Sequence, residues 1–312
     1  MLSRDLYRLK INLHDAANMS DTLQNINRKI AGARKLESVV RTMKILAASN
    51  IGQYEAAIRS LGDYYHSVRL GLNVCLSRGK SLLPYSIKNT GEDTPVLAVV
   101  YGSDQGLVGQ YNDILADYSA KSLNILPGRK YVWAVGERIR DRLLDFEIPI
   151  AGTFDVPPSI KSVSSLCSKI LFETQSSLNK TDKYQFYIFN NSPGNGVIYE
   201  PAQASFLPLD EKWAKNITDI KWAGRNLPEI VKDKEKTIEG LIREYLFVSL
   251  FKASAEALMS ENAARLAAMQ RAEKNIQEVL EDLTMSYNRL RQESIDNELF
   301  DVISGSEVLI NS

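Results

Sequence analysis

The residues best placed for chemistry lie in Tyr101-Gly-Ser-Asp-Gln-Gly-Leu-Val-Gly109, which follows an apolar run, the position of a phosphate-binding turn. Gly102, Gly106 and Gly109 are spaced G-x-x-x-G-x-x-G rather than G-x-G-x-x-G. No acid stands about 20 residues on to hold a ribose, since Glu137 lies well past that distance. Gly79-Lys80-Ser81 ends like a phosphate loop, but Val74 stands where its first glycine belongs, and a helix rather than a strand precedes it. Ser103 beside Asp104 would need a histidine base, and neither His14 nor His66 has an evident route to it. Cys75 and Cys167 are too far apart in sequence for a metal or redox motif. These residues predict a structural turn built on Ser103, Asp104 and Gly106, with no catalytic, cofactor or metal site.

The elements that must carry the turn are legible from proline. None occurs from Met1 to Leu83 or from Glu229 to Ser312, and all ten lie in 84–228. Proline costs about 3 kcal/mol inside a helix, so both ends are free to form very long ones. Apolar residues recur there at three- and four-residue steps: Leu23, Ile26, Ile30, Ala33, Leu36, Val40, Met43, Ala47, Ile51 and Tyr54 onward to Cys75, then Ile238, Leu241, Tyr245 and Val248 through Met269 to Leu290. Such a stripe is the seam of a coiled coil and needs a partner to leave water. The two ends cover each other most simply as an antiparallel pair, giving a rod with helices of about 80 and 100 Å. Lys252 and Asn262 interrupt the second stripe, which predicts local loosening or a change of partner.

Between the helices the texture changes. Val96–Tyr101 reads as a buried strand, 113–124 as a helix, Lys130–Val135 as a strand and Glu137–Asp145 as a helix. A helix over 159–178, a strand over 184–190 and an Asn195-Gly196 turn leading into a strand at 197–199 complete the set. Strand–helix alternation predicts a small α/β domain with a parallel sheet. The fold class is α/β plus coiled coil: long N- and C-terminal helices forming an antiparallel coiled coil, with an inserted small Rossmann-like α/β domain. The expected divisions are an extension at 1–18, a coiled-coil helix at 19–83, the α/β domain at 84–228 and a second coiled-coil helix at 229–312. Residues 1–18 read as an upstream start before Met19, a short extension or a presequence.

Lysine plus arginine and aspartate plus glutamate both total 38, so no global field points to nucleic acid. Charge is uneven locally: 21–59 holds seven basic residues against three acids, and 281–307 seven acids against two basic residues. Complementary solvated faces and a partner-binding end both fit that pattern. No apolar run nears the roughly 18 residues of a membrane span, so membrane association would come through partners.

Both ends carry motifs. Leu23-Gln-Asn-Ile-Asn-Arg-Lys-Ile30 and Arg41-Thr-Met-Lys-Ile-Leu-Ala-Ala-Ser49 resemble the opening of F-type ATP synthase gamma subunits. Ser260-Glu-Asn-Ala-Ala-Arg-Leu-Ala-Ala-Met269, Asn288-Arg-Leu-Arg-Gln292 and 295–306 resemble that family's last helix. Ile295, Glu298, Asp301 and Gly305 match its terminal signature, while Asp296 replaces threonine and Ser306 replaces alanine. Ser103-Asp-Gln-Gly-Leu-Val-Gly109 is similar to the family's S-D-R-G-L-C-G turn, departing at Gln105 and Val108. The likeness runs from about residue 20 to the end, and the differing middle suggests a divergent member, of a bacterial side branch.

The resemblance implies a non-catalytic rotor shaft that transmits torque between the membrane c-ring and the alpha/beta catalytic ring, coupling proton or sodium translocation to ATP synthesis or hydrolysis. Implied partners are the alpha, beta and epsilon subunits and the c-ring, with no cofactor and no nucleic acid. The implied place is peripheral, on the cytoplasmic side of the bacterial inner membrane, or the mitochondrial matrix side if 1–18 is a presequence. Met43 and Lys44 would lie at the beta-subunit level, Arg291 and Gln292 would hydrogen-bond a beta loop, and Leu299, Val302, Ile303 and Leu309 would turn in an apolar sleeve. The plant-type regulatory cysteine pair is absent, so no thiol switch is expected. The alternative is a coiled-coil spacer with a globular hinge.

Overall fold

The computed structural model describes residues 2–77, 94–176, 184–194, 196–209, 211–222, 224, 226, 228–231 and 233–310. In chain order its elements are α1 (Leu2–Ser77), β1 (Val96–Tyr101), α2 (Tyr111–Ile125), β2 (Lys130–Val135), α3 (Glu137–Asp145), β3 (Ile150–Phe154), α4 (Ile160–Ser176), β4 (Gln185–Ser192), β5 (Glu200–Leu207), α5 (Glu211–Thr218) and α6 (Lys234–Ile310). The two proline-free ends are single helices of 76 and 77 residues. The expected continuation of the first helix over 78–83, and Gly79-Lys80-Ser81, lie outside the described residues.

Two compact units divide the chain, one of Met1–Ile45 with Met269–Ser312 and the other of Leu46–Ala268. In the second unit the sheet order is β3-β2-β1-β4-β5. β1 pairs in parallel with β2 and β4, and β2 pairs in parallel with β3. β5 runs antiparallel to β4, so the sheet is mixed rather than parallel. A direct reversal from β4 needs no crossover helix, and the edge tolerates Pro201, which lacks a ladder donor. The strand expected at 197–199 is absent: 196–198 is bent, and the strand begins at Glu200. Gly196 holds φ +84, a turn value, while Asn195 lies outside the described residues. β3 was not anticipated, because Ile150-Ala-Gly-Thr-Phe has neither an apolar run nor clean alternation.

Alternation along β1 builds three layers. Leu97, Val99 and Tyr101 face a core with Trp133, Phe186 and Ile188, covered by α4 through Val163, Cys167 and Ile170 and by α1 and α6 through Val68, Leu72, Ile238, Ile242 and Leu250. Val96, Ala98 and Val100 face the opposite core with α2 and α3, through Leu115, Leu123, Ile139 and Leu143. A strand buried on both faces has no polar side, which is why β1 reads as an unbroken apolar run.

Within this unit Asn50 meets Asn262, Tyr64 meets Glu244 and Tyr65 meets Tyr245. Numbers rise along α1 as they fall along α6, so the helices run antiparallel. α6 is apolar or small on most sides from Ala253 to Ala264, because here it is covered by the sheet as well as by α1.

In the other unit the α1 stripe is as expected except at Leu36, which is 61% exposed while Glu37 takes the inward place. The steps run 33, 37, 40, so the helix takes a four before a three there, and Glu37 accepts a hydrogen bond from Arg41.

Candidate functional site

The Ser103–Gly109 turn is a clamp at the carboxyl end of β1. Asp104 Oδ1 accepts from the Glu137 backbone N–H at 3.0 Å, at the N-terminus of α3. Its Oδ2 accepts from Val156 N–H at 2.9 Å, beyond β3. One carboxylate thus ties three successive parallel strands together and supplies an anion where the helix has free N–H donors. The Ser103 N–H donates to Asn112 Oδ1, Asn112 Nδ2 donates to Ser103 Oγ, and Ser103 Oγ donates to the Gln105 carbonyl. The hydroxyl is committed to hydrogen bonds within the turn and to Asn112.

Glycine is required at two places. A Cβ on Gly102 would lie 2.2 Å from Ile139 Cβ, and Gly136, at φ +112, would place one 2.7 Å from the Ser103 carbonyl. Gly106 has open space around it and no such demand.

The turn seats the sheet on α6. Val108 and Tyr111 are buried with Ala264, and the Tyr111 ring meets Tyr199 edge-on at 5.1 Å. The Tyr111 hydroxyl donates to the Ala257 carbonyl at 2.9 Å, and Asn191 Nδ2 of β4 donates to the Tyr111 carbonyl at 3.0 Å. At the end of β1 the Tyr101 and Ser254 hydroxyls hydrogen-bond at 2.8 Å, with Cys167 Sγ 3.7 Å from Ser254. Burial pushes the Tyr101 and Tyr111 phenols well above their ordinary range. On α1, Asn73 Nδ2 lies within hydrogen-bonding distance of the Ile217, Thr218 and Ile220 carbonyls at the end of α5.

Glu261 is 4% exposed and pairs with Arg265 one turn along α6. Burial raises its carboxyl, and Arg265 opposes that rise. The motif quoted from the sequence contains this pair, and its four-residue spacing on a helix was the available signal. Tyr101, Tyr111, Ser254 and Asn191 left no comparable trace. Their roles depend on contacts across about 80 to 150 residues.

In the unit formed by the chain ends, Lys44 Nζ bonds Glu273 Oε2, and Arg41 Nε stands 3.7 Å from Glu273 Oε1. The Lys44 ammonium holds the Glu273 carboxyl below the ordinary carboxylate range. Met43 is half-buried beside it. Arg291, Gln292 and Glu298 are exposed, as are Ile295, Leu299, Val302 and Ile303. Asp301, Gly305 and Leu309 lie on the same helix. The signature residues therefore fall in two groups: Ser103, Asp104 and Gly106 in the turn after β1, and the rest toward the end of α6.

Among the described residues no cluster of three or more histidine, cysteine or acidic side chains could hold a metal. No described helix is long and apolar enough to cross a membrane. The buried thiol of Cys167 is pushed up to about 12 by burial, far from a reactive thiolate.

Within Leu46–Ala268 the antiparallel α1 and α6 carry a mixed α/β sheet, and within the unit of the chain ends the same two helices meet through Lys44 and Glu273. The sequence pattern of the ATP synthase family matches residues 22–309. The chain is 24% identical over 305 residues to the ATP synthase gamma chain of Azobacteroides pseudotrichonymphae genomovar. CFP2, covering 92% of this chain and 99% of that one. It is 27% identical over 298 residues to the ATP synthase gamma chain of Roseobacter denitrificans (strain ATCC 33942 / OCh 114), with the same two coverages. Its fold is similar to a chain of the Euglena gracilis mitochondrial ATP synthase, OSCP/F1/c-ring, rotational state 3, with a TM-score of 0.62 at 16% identity, over 93% of this chain and 95% of that one. The chain belongs to the F-type ATP synthase gamma-subunit family. The spacer alternative is not favoured.

Proposed function

We propose that this protein is the central rotor shaft of an F-type ATP synthase, carrying torque between a membrane c-ring and a ring of alpha and beta subunits. The observation that carries this reading is the family match over 22–309 together with the antiparallel pairing of α1 and α6. A shaft must resist twist and bending, which paired helices provide, and must not hold any one ring orientation tightly. It biases each catalytic site only through contacts that differ among orientations. The exposed and mainly apolar Leu299, Val302 and Ile303 suit a tip that turns against an apolar sleeve without strong directional bonds.

In this reading the chain has no catalytic site and meets the membrane only through its partners, on the cytoplasmic face of the bacterial inner membrane, or on the matrix face if 1–18 is a presequence. The α/β domain at 84–228 is the foot that meets the epsilon subunit and the c-ring. Met43 and Lys44 lie at the level of a beta subunit, with Lys44 pre-positioned by Glu273. Arg291 and Gln292, both exposed, hydrogen-bond a beta loop.

Coexpression with alpha and beta subunits of the same source should yield a complex with ATPase activity that the isolated chain lacks. A folded chain that never joins them overturns the shaft reading. Arg291→Ala with Gln292→Ala should lower ATPase rate or coupling of the assembled complex and leave this chain's circular dichroism unchanged. Unaltered activity removes the assigned contact while leaving the shaft reading standing.

A further inference from the structure

A joint that carries twist needs more than adhesion. The contact between α6 and the sheet is largely apolar, and hydrophobic burial is non-directional, so a helix can roll in such a groove with little change in buried area. Hydrogen bonds weaken steeply as they leave alignment and therefore fix an angle. Two cross this contact out of reach of water: Tyr101 to Ser254, and Tyr111 to the Ala257 carbonyl.

Their placement is what a rotational lock requires. Positions 254 and 257 are three residues apart and so share one face of α6. The two tyrosines come from separate elements, the end of β1 and the start of α2, so each constrains the helix from its own direction. Tyr111 is braced in turn, since Asn191 of β4 donates to its carbonyl. A core selected for cohesion alone would be served as well by phenylalanine and alanine at these places, without polar groups whose partners must be kept.

We propose that Tyr101, Tyr111 and Ser254 are positioning residues that lock the rotational angle of α6 against the sheet, so that twist applied to either passes to the other without slack. The proposal rests on the rotor reading for its purpose but not for its test. The full chain would carry spin labels at Lys121→Cys on α2 and Arg243→Cys on α6, both exposed, while the native cysteines stay buried. The inter-label distance distribution would be narrow in the parent. It should broaden about two-fold in Tyr111→Phe with Ser254→Ala, where the directional restraints are gone.

Ile242→Val removes a methyl from the same contact without touching either hydrogen bond, and should leave the width unchanged. An unbroadened distribution in the double variant overturns the lock. So does equal broadening in Ile242→Val, because the effect would then be general loosening. If the double variant does not fold, the two single variants decide by the same criterion. Assembly with alpha and beta subunits is a separate measurement, so a failed lock and a failed rotor reading cannot be mistaken for each other.

Discussion

Asp104 shows how one side chain can look catalytic and act as a tie. Both its oxygens are spent on backbone N–H groups of two different connections, one entering α3 and one leaving β3. Asp104→Ala should lower stability by about 1–2 kcal/mol, the usual loss for a capping side chain with a further part-buried bond. Thermal unfolding would measure it, and Asp104→Asn should recover part of the loss by retaining one acceptor. Glu273 makes a prediction of different sign character. Its carboxyl is held low by Lys44, so its stabilising effect is present above the ordinary carboxylate range and is lost as pH falls through the lowered value. Glu261 runs the other way: burial raises its carboxyl, so its contribution favours the fold at low pH and is lost as pH rises through the raised value. Lys44→Met should therefore flatten the acid limb of a stability–pH profile, and Glu261→Gln should flatten the limb just above it. Urea unfolding midpoints across pH 3 to pH 7, about the carboxylate range, would separate the two.

At the scale of elements, the long helices were legible because proline and the three-four spacing act locally and repeatedly, so dozens of residues vote for the same structure. β1, β2 and α3 were legible because composition changes abruptly at their ends, and Gly136 marks the β2–α3 boundary with a backbone angle other residues avoid. β3 and β5 were not, because an edge strand with Gly152 or Pro201 is held by its ladder to the adjoining strand rather than by its own pattern. The joint with α6 was hidden because its partners are far apart in sequence: Tyr111 and Ser254 are ordinary residues until α2 and β1 meet α6. Gly136→Ala is the sharpest test at this scale. The new Cβ would meet the Ser103 carbonyl at a backbone φ of +112, so the clamp and the β2–α3 turn should both give way. A loss of about 2 kcal/mol or more is expected, read as a lower melting temperature and faster hydrogen exchange at Arg138, whose N–H bonds Ser103. Gly106→Ala, in open space, should change little.

For the whole molecule, the two free thiols report on integrity. Cys75 and Cys167 are both buried, and burial raises both thiols, Cys167 to about 12. Alkylating reagent at pH 8 should leave both unmodified in the native chain and label both once denaturant unfolds it, since the thiolate is the reactive form. The order of the sequence imposes something further. One face of the central sheet is sealed by residues from Ile238 to Leu258, which leave the ribosome only after every strand has been made. Throughout that interval Leu97, Val99, Trp133 and Phe186 lack the α6 part of their cover, a greasy surface waiting for a lid that is still being translated. Nascent chains halted before Lys234 should therefore bind chaperones or aggregate, while a few dozen residues more should release them.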